Sequence, residues 1–588
     1  MPLICKFRQA LLIVFRMNMM RNIFFIILVF GIGFLSVPVS AQTIPVGSSV
    51  LEDYYRRLQL LGKLDSSISF SNRPLSAEAL TQANIFDPSD ELSTDGWAQS
   101  SGPMIFGNGH GKFQILPFSW QQQINSHHPF GWNDASMIPA KGYQTMLSGG
   151  FFIKYGPLSV QLRPEYVYAQ NSAFESYGEN RNDAELNVYY GRNYNAIDNP
   201  EKYGNQTYSK LGWGQSSIRL TIGPASLGLS NENIWWGPGL RNSLMMSNHA
   251  AGFKHVTLNT VRPIKTFIGS FEGQILGGRL ESSGFTPLEN TQLSNGTSAY
   301  LAPRDDWRYL AGLNINYQPK WVPGLFLGFT RTFMSYGGDL DGLADYIPFF
   351  VPFQKAKIGD GAGDDGDARD QRTSLYARWL FPRAHAEVYF EYGLNDNSFN
   401  LRDFIGSPDH SRAYLFGLRK LIPIKNKTDE FIQFGAEITQ MSQTIDGLLL
   451  RGAGSFYYHY EVTQGYTHNG EVLGAGSGTG GNLQSFEVSW VKGFKKFGLS
   501  FDRLEHNRDF YDSSGFANAK GGSRSWVDFA FAAVGEWNYK NLLFNAKLQG
   551  IKSLNYQWRQ KDFTDSQYYI PHNTVYNFQG QLGITYRF

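Results

Sequence analysis

Along residues 576–588 (YNFQGQLGITYRF) the chain alternates. Even positions are Tyr576, Phe578, Gly580, Leu582, Ile584, Tyr586 and Phe588; odd positions are Asn577, Gln579, Gln581, Gly583, Thr585 and Arg587. Successive side chains of a strand point to opposite faces. One face is therefore apolar with aromatics at both ends, and the other is polar. The same alternation runs through Tyr143, Leu147, Phe151, Ile153 and Tyr155 against Gln144, Ser148 and Lys154, and through Leu158, Val160, Leu162, Tyr166 and Tyr168 against Gln161, Arg163 and Glu165. It returns in segments 307–317, 373–381, 386–392, 431–439 and 542–550. Strands buried on both faces would not keep Arg163, Glu165, Glu387, Glu391 and Glu437 on one side. A polar face toward a wet lumen and an apolar face between aromatic girdles fit a transmembrane β-barrel.

The connections sort themselves by length. Gly156-Pro157, Gly223-Pro224-Ala225 and segments 381–384, 493–496 and 539–541 are short; segments 171–215, 337–370 and 505–525 are long. Outer-membrane barrels have short periplasmic turns and long extracellular loops. About 17 to 19 strands can be placed, and the even-number rule of such barrels selects about 18. The fold expected is all-β: a large antiparallel transmembrane barrel over residues 111–588, with a small helical periplasmic element over 42–110. In that element Leu51, Leu58 and Leu61 recur at helical spacing, and Ser76 is placed as an N-cap for a helix over 77–83. The helix over 50–64 is expected to pack on the periplasmic end of the barrel.

Composition agrees. Aromatics reach 15% (32 Tyr, 45 Phe, 13 Trp), Gly numbers 63, and charged residues fall to 17%, below the usual quarter. A net charge of +2 gives no reason to expect nucleic acid, and the negative mean hydropathy excludes a bundle of apolar helices. Arg21, the apolar run Ile23 to Leu35 and the small residues before Gln42 read as a secretory signal peptide over 1–41. The single cysteine, Cys5, precedes that cleavage site. The mature chain is thus expected to carry no disulfide and no cysteine-based metal site.

One stretch stands apart. Glu232 to Phe253 reads ENIWWGPGLRNSLMMSNHAAGF. It follows a strand that rises from Gly223-Pro224, so it is expected at the extracellular mouth, as an ordered loop that caps the barrel or folds into it. Gly-Pro-Gly presets the turn after the tryptophans. One ring is expected to face inward and the other the wall. Trp235-Trp236-Gly237-Pro238-Gly239, Ser243-Leu244, Ser247-Asn248 and Ala251-Gly252-Phe253 resemble the signature of the Wzi-type capsule assembly proteins. The helical segment from Leu51, Arg73-Pro74-Leu75-Ser76, Leu162-Arg163-Pro164-Glu165, Glu391 with Asn395-Asp396, and the segment Tyr466 to Gly474 (YTHNGEVLG) agree with it. The resemblance implies an outer-membrane barrel of about 18 strands with a periplasmic helical bundle. It also implies a lectin role, not an enzymatic one, in attaching capsular polysaccharide to the cell surface. The run Asn248-His249-Ala250-Ala251-Gly252-Phe253 departs from the family pattern, so ligand specificity does not transfer.

Candidate polysaccharide contacts are Trp235 and Trp236 as stacking platforms, Arg241, Asn242 and Asn248 as planar donors for hydroxyls and uronates, and His249 and His468. The competing readings are girdle anchoring for the rings and backbone satisfaction for the polar groups. His459, Glu461 and His468 lack a zinc-protease spacing and read as lumen filling. Glu387 and Glu391, at i and i+4 of one strand, stand roughly 13 Å apart, too far for paired glycosidase carboxylates. Pairing with Arg163 or Arg378 suits them better. The acidic segment Asp360 to Asp370 lacks EF-hand spacing and reads as a solvated surface loop. No catalytic residue, cofactor or metal is expected. The partners expected are capsular or exopolysaccharide, with outer-membrane lipid and lipopolysaccharide around a monomeric wall. A porin or saccharide-selective channel is the alternative, distinguished by an open lumen.

Overall fold

The computed structural model describes residues 42–82, 84–88, 103–179, 181–288, 291–350, 369–395, 409, 411–445, 447, 454–514, 525–559 and 574–588. The signal peptide expected over 1–41, and residues 360–368 of the acidic loop, lie outside them.

One sheet holds 22 strand segments and closes on itself. Leu158–Leu162 and Glu165–Ala169 are one strand interrupted at Pro164, which has no N–H to give the ladder. Tyr208–Gly212 and Ser217–Ile222 likewise form one wall strand, pairing with Glu165–Ala169 and Leu158–Leu162 respectively. Met104–Phe106 and Ile264–Lys265 are short arms hung on longer neighbours. The wall itself has 18 strands, all antiparallel to their neighbours. It closes where Val575–Tyr586 pairs with Gly111–Asn125, from Gln579↔Asn125 to Tyr586↔Phe118.

The alternation that predicts these strands also orients them. On the last strand Tyr576 is 68% and Phe578 47% exposed, whereas Asn577 is 4% and Gln579 1% exposed. Apolar side chains thus face outward and polar ones the bore. Arg163, Glu165, Glu387, Glu391 and Glu437 are all buried inside. The expected long connection over 171–215 is more structured than its composition suggests. It contains the helix Asp183–Arg192, closed by a capping box between Asn182 and Glu185, and the wall strand Tyr208–Gly212.

The bore is filled by the chain's own segments. Helix α1, Ser49–Leu60, lies at the end where the short turns sit. Arg57 donates to the Gly493 carbonyl at 2.7 Å, within the turn between Asn482–Lys492 and Lys495–Glu505. Leu51 and Leu58 join a core with Phe494 and Leu543, while Leu60 and Leu61 pack on Leu380, Leu421 and Val491. The helix therefore docks inside the mouth that carries the short turns and does not hang below it. Ser76 caps a single short turn, Ala77–Leu80, by accepting from Ala79 N at 3.0 Å. What anchors α1 is charge as much as apolar contact. Glu387 accepts from Arg56 at 2.8 Å and Arg378 at 2.7 Å. Arg378 also reaches Gln59 at 2.8 Å and the Ser69 carbonyl at 2.9 Å. A wholly buried ion triad of this kind is held only when its remaining donors are also used.

Candidate functional site

The tryptophan loop does not stay at the upper mouth. Trp235–Trp236 forms a two-residue ladder with Asn72–Arg73 of the N-terminal segment, Trp235↔Arg73 and Trp236↔Asn72. The loop thus descends through the bore and meets the segment that enters from below. Two wall carboxylates explain why it can. Glu437 accepts the backbone N–H groups of Leu240 (2.7 Å), Arg241 (3.1 Å) and Asn242 (2.8 Å), and the Tyr389 hydroxyl (2.9 Å). Glu391 accepts Leu244 N at 3.2 Å. A buried turn carries backbone donors that must find acceptors, and inward glutamates supply them. Glu387 pairs with Arg378, but Arg163 donates to Ser148 instead, at 2.8 Å.

The two rings part company. Trp236 is fully buried toward the wall, its Nε1 donating to Gln274 at 2.9 Å, with its ring over Gly312. A Cβ at Gly312 would come within 2.6 Å of that ring. Trp235 faces the interior, and the Arg73 guanidinium lies 4.2 Å from its ring centroid. Burial lowers the Arg73 pKa to about 10, partly offset by Glu52, so the cation over the ring stays charged at neutral pH.

Between α1 and this loop lie two adjoining cavities of about 240 and 330 Å³. Trp132, Asn133, Asn248, Asn545 and Gln581 line both. The larger is also walled by Trp235, Arg241 and Tyr389. Arg241 pairs with Asp502 at 2.6 Å and lies 5.2 Å from the Trp132 ring centroid, yet a third of its side chain stays accessible. Asn248 donates to the Asn133 carbonyl at 2.9 Å, and its buried Oδ1 has no partner among the described residues. Most carboxylates of the larger cavity are committed, Glu536 being the exception with an Oε2 that has no partner among the described residues. Asp53 pairs with Arg57 and with Arg419 (2.8 Å), and Glu487 with Lys496 (2.8 Å). Burial alone would raise the Asp53 carboxyl, but Arg57, Arg419 and Lys496 hold it below the ordinary carboxylate range.

Of the residues singled out in the sequence, the structure brings Trp235, Arg241 and Asn248 to one cavity. Trp236 and Asn242 are packed against the wall, Asn242 through Thr439 at 3.0 Å. His249 stands beside Asp134 and Glu471, and burial pushes its imidazole down to about 4, so it is neutral. His468 accepts Glu281 N at 3.1 Å and lies 6.0 Å from Phe253, centroid to centroid. It braces a loop and touches neither cavity. His459 accepts Glu461 N (3.3 Å) and Val462 N (3.2 Å), a turn cap. Trp132 had no sequence signal, and Arg73 entered only within the run Arg73-Pro74-Leu75-Ser76; each matters through contacts far along the chain.

The comparisons agree with this architecture. The model of the family "Capsule assembly protein Wzi" matches residues 139–552. No curated protein is significantly similar in sequence. Among solved structures, Wzi of Escherichia coli, described as an outer membrane protein involved in group 1 capsule assembly and a carbohydrate-binding β-barrel, aligns over 93% of this chain and 100% of its own. Its TM-score is 0.56 at 13% identity. OccAB2 of Acinetobacter baumannii (12% identity) and OpdQ of Pseudomonas aeruginosa (8%) each align over 80% of this chain and 97% of theirs, with TM-scores of 0.37. With the family model spanning most of the chain and the closed 18-strand wall in place, this protein belongs to the Wzi capsule assembly family of the outer membrane.

Proposed function

We propose that this protein is a monomeric, non-enzymatic anchor that binds capsular or exopolysaccharide and helps hold it at the cell surface, its wall surrounded by outer-membrane lipid and lipopolysaccharide. The observation that carries the reading is the filled bore. The Trp235–Trp236 ladder to Asn72–Arg73 stops the lumen where a diffusion channel needs it open. Family membership and the carbohydrate binding ascribed to the E. coli Wzi structure point the same way.

The contact surface is the larger cavity. Trp132 offers a flat apolar face for the C–H faces of sugar rings, and Trp235, buried under Arg73, backs the cavity wall. Arg241, a third of whose side chain is accessible, offers donors for hydroxyls and carboxylates, with Asn248 beside it on the cavity wall. Trp236, Asn242 and His468 are left out of that contact set because each is engaged in holding the loops, and His249 because it lines neither cavity. The commitment of Asp53, Glu437 and Glu487 to cations or backbone N–H groups supports a binding role over an acid–base one.

The test uses purified barrel in detergent with the capsular polysaccharide of the same cells. Arg241→Ala should weaken binding roughly tenfold, the equivalent of one charge-assisted hydrogen bond of about 1.5 kcal/mol. Trp132→Ala should weaken it at least as much, and both should lower the capsule fraction left on washed cells. Wild-type affinity in both variants would move the site elsewhere. Large, stable single-channel conductance of the wild-type barrel in planar bilayers would replace the anchor with a channel.

A further inference from the structure

Three inward-folded connections meet at one point. They are the loop over 126–141, the tryptophan loop over 231–253 and the long loop that contains the hairpin Thr467–His468/Glu471–Val472. Backbone bonds set their positions: Ala135 N to Asn248 O at 2.9 Å, and Ser247 N to Leu473 O at 2.8 Å. The hairpin turns at Asn469-Gly470, both at positive φ (51° and 87°), the conformation an Asn-Gly turn favours. That turn aims Glu471 inward.

At the junction each loop contributes one side chain. A carboxylate oxygen of Asp134, a ring nitrogen of His249 and a carboxylate oxygen of Glu471 all lie within 4.8 Å of one another. Two further observations separate this cluster from a chance group of acids. Glu471 is only 5% exposed, yet among the described residues its carboxylate has no ion-pair partner and receives no hydrogen bond. His249 Nδ1 is buried and has no partner among the described residues. Among the described residues Asp134 is met by its own backbone N–H and by a long contact from Gln123 at 3.5 Å, and no Lys or Arg pairs with either acid. Several buried carboxylates of this bore are matched with cations or N–H groups, as at Glu387, Glu437 and Asp502; Glu536, whose Oε2 has no partner among the described residues, is an exception that stands alone and not in a cluster with an imidazole. Two buried carboxylates and an imidazole without a cation are an arrangement that a divalent ion completes.

We propose that Asp134, His249 and Glu471 form a binding site for a divalent transition cation of the Zn²⁺ class, which clamps the three loops together inside the barrel. One nitrogen and two carboxylate donors suit Zn²⁺ or its neighbours better than Ca²⁺, which prefers six to eight oxygens. A tetrahedral ion with bonds of about 2.1 Å holds its donors roughly 3.4 Å apart. Small side-chain rotations close the triangle to that size. Three protein ligands leave a fourth position. Asp134 lines the smaller cavity, so that position lies beside the cavity. The clamp does not rest on polysaccharide binding, since it is a property of the plug.

The experiment uses tag-free barrel, stripped with a chelator and then titrated with Zn²⁺ alone, followed by calorimetry and by thermal unfolding. Wild type should bind one ion per chain, release protons on binding and unfold several degrees higher. His249→Ala and Glu471→Gln should each weaken binding at least tenfold and remove the thermal shift. Asp134→Asn keeps the size of the side chain, so it tests the site even where a larger change fails to fold. X-ray absorption on the loaded wild type should show a first shell of nitrogen and oxygen with a single imidazole. Absence of one-to-one binding in wild type, binding of Ca²⁺ but not Zn²⁺, or unchanged affinity in Asp134→Asn would each overturn the proposal. Loss of polysaccharide binding in Arg241→Ala with Zn²⁺ affinity intact would leave this inference standing on its own.

Discussion

The wall and the plug of this protein are stabilised by different means. In the wall, neighbours in space are mostly neighbours in sequence. Each strand pairs with the next across a turn, and lipid-facing side chains need only be apolar. In the plug, partners lie far apart. Arg56 reaches Glu387 and the Pro238 carbonyl, Trp235 pairs with Arg73, and Glu437 gathers three N–H groups of one turn. The wall tolerates exchange of one apolar residue for another; the plug depends on individual hydrogen bonds, since a buried polar group left unpaired costs about 1–3 kcal/mol.

That contrast can be broken from either side. The largest effect is expected from Glu387→Ala, which leaves Arg56 and Arg378 buried without their anion. Breaking a buried pair in this way costs about 3–5 kcal/mol. The loss should fall on the plug. Protease should cleave within Ser49–Leu60, while heat-modifiable mobility on gels shows the barrel still closed. If the segment stays resistant, the triad does not hold it. Leu548→Arg probes the other side. Leu548 is 57% exposed on the outer face, paired with Gly580 of the last strand. An arginine near the bilayer midplane costs about 2–4 kcal/mol in a transmembrane barrel. Folded yield in lipid vesicles should fall, and the molecules that do fold should keep a protease-resistant plug.

The smallest effect concerns pH. Asp53 on α1 has its pKa lowered by Arg57, Arg419 and Lys496 against the opposing effect of burial. A depressed carboxyl contributes stability that is complete above its unfolded pKa, about 3.9, and is lost as pH falls through the folded value. Docking of α1 should therefore be flat from neutral pH down to about 4 and weaken only below it. In Asp53→Asn that acid-induced loosening should be smaller, read as the rate of pepsin cleavage in the segment. An equal pH response in both proteins would assign it to other carboxyls.

The two regions also differ in how far they can be read without coordinates. The period of two in segments such as 576–588 gives strand, face and side together, because in a membrane wall that one pattern settles all three. Short turns at Gly156-Pro157 and Gly223-Pro224 then fix which end is which. The tryptophan loop announces itself by its composition, and the split between an interior and a wall-facing ring follows from adjacency on a strand. Its depth does not. Nothing in residues 232–253 says that Glu437 and Glu391 will accept their N–H groups, or that Arg73 will lie over Trp235. Trp132 and Asp134 are equally silent, and Glu471 stands in a distinctive run that gives no hint of its role, since each acquires that role only when distant loops converge. His468 shows the opposite error: a histidine in a distinctive motif, YTHNGEVLG, serves only to brace Glu281 and Phe253.

The ladder between Trp235–Trp236 and Asn72–Arg73 bears on the order in which the molecule is put together. The wall closes by joining its first strand to its last, with Ser119 and Thr585 in contact at 3.1 Å although 466 positions apart. Ring closure over such a separation is entropically costly and slow when nothing holds the ends. The N-terminal segment precedes the first strand, and Arg587 follows the last; Arg587 donates to the Phe86 carbonyl at 3.0 Å. The same segment grips the middle of the chain at Glu387 and at the tryptophans. Its contacts thus join the centre and both ends of the sheet, and a segment already docked in this way would lower the entropic cost of closing the seam.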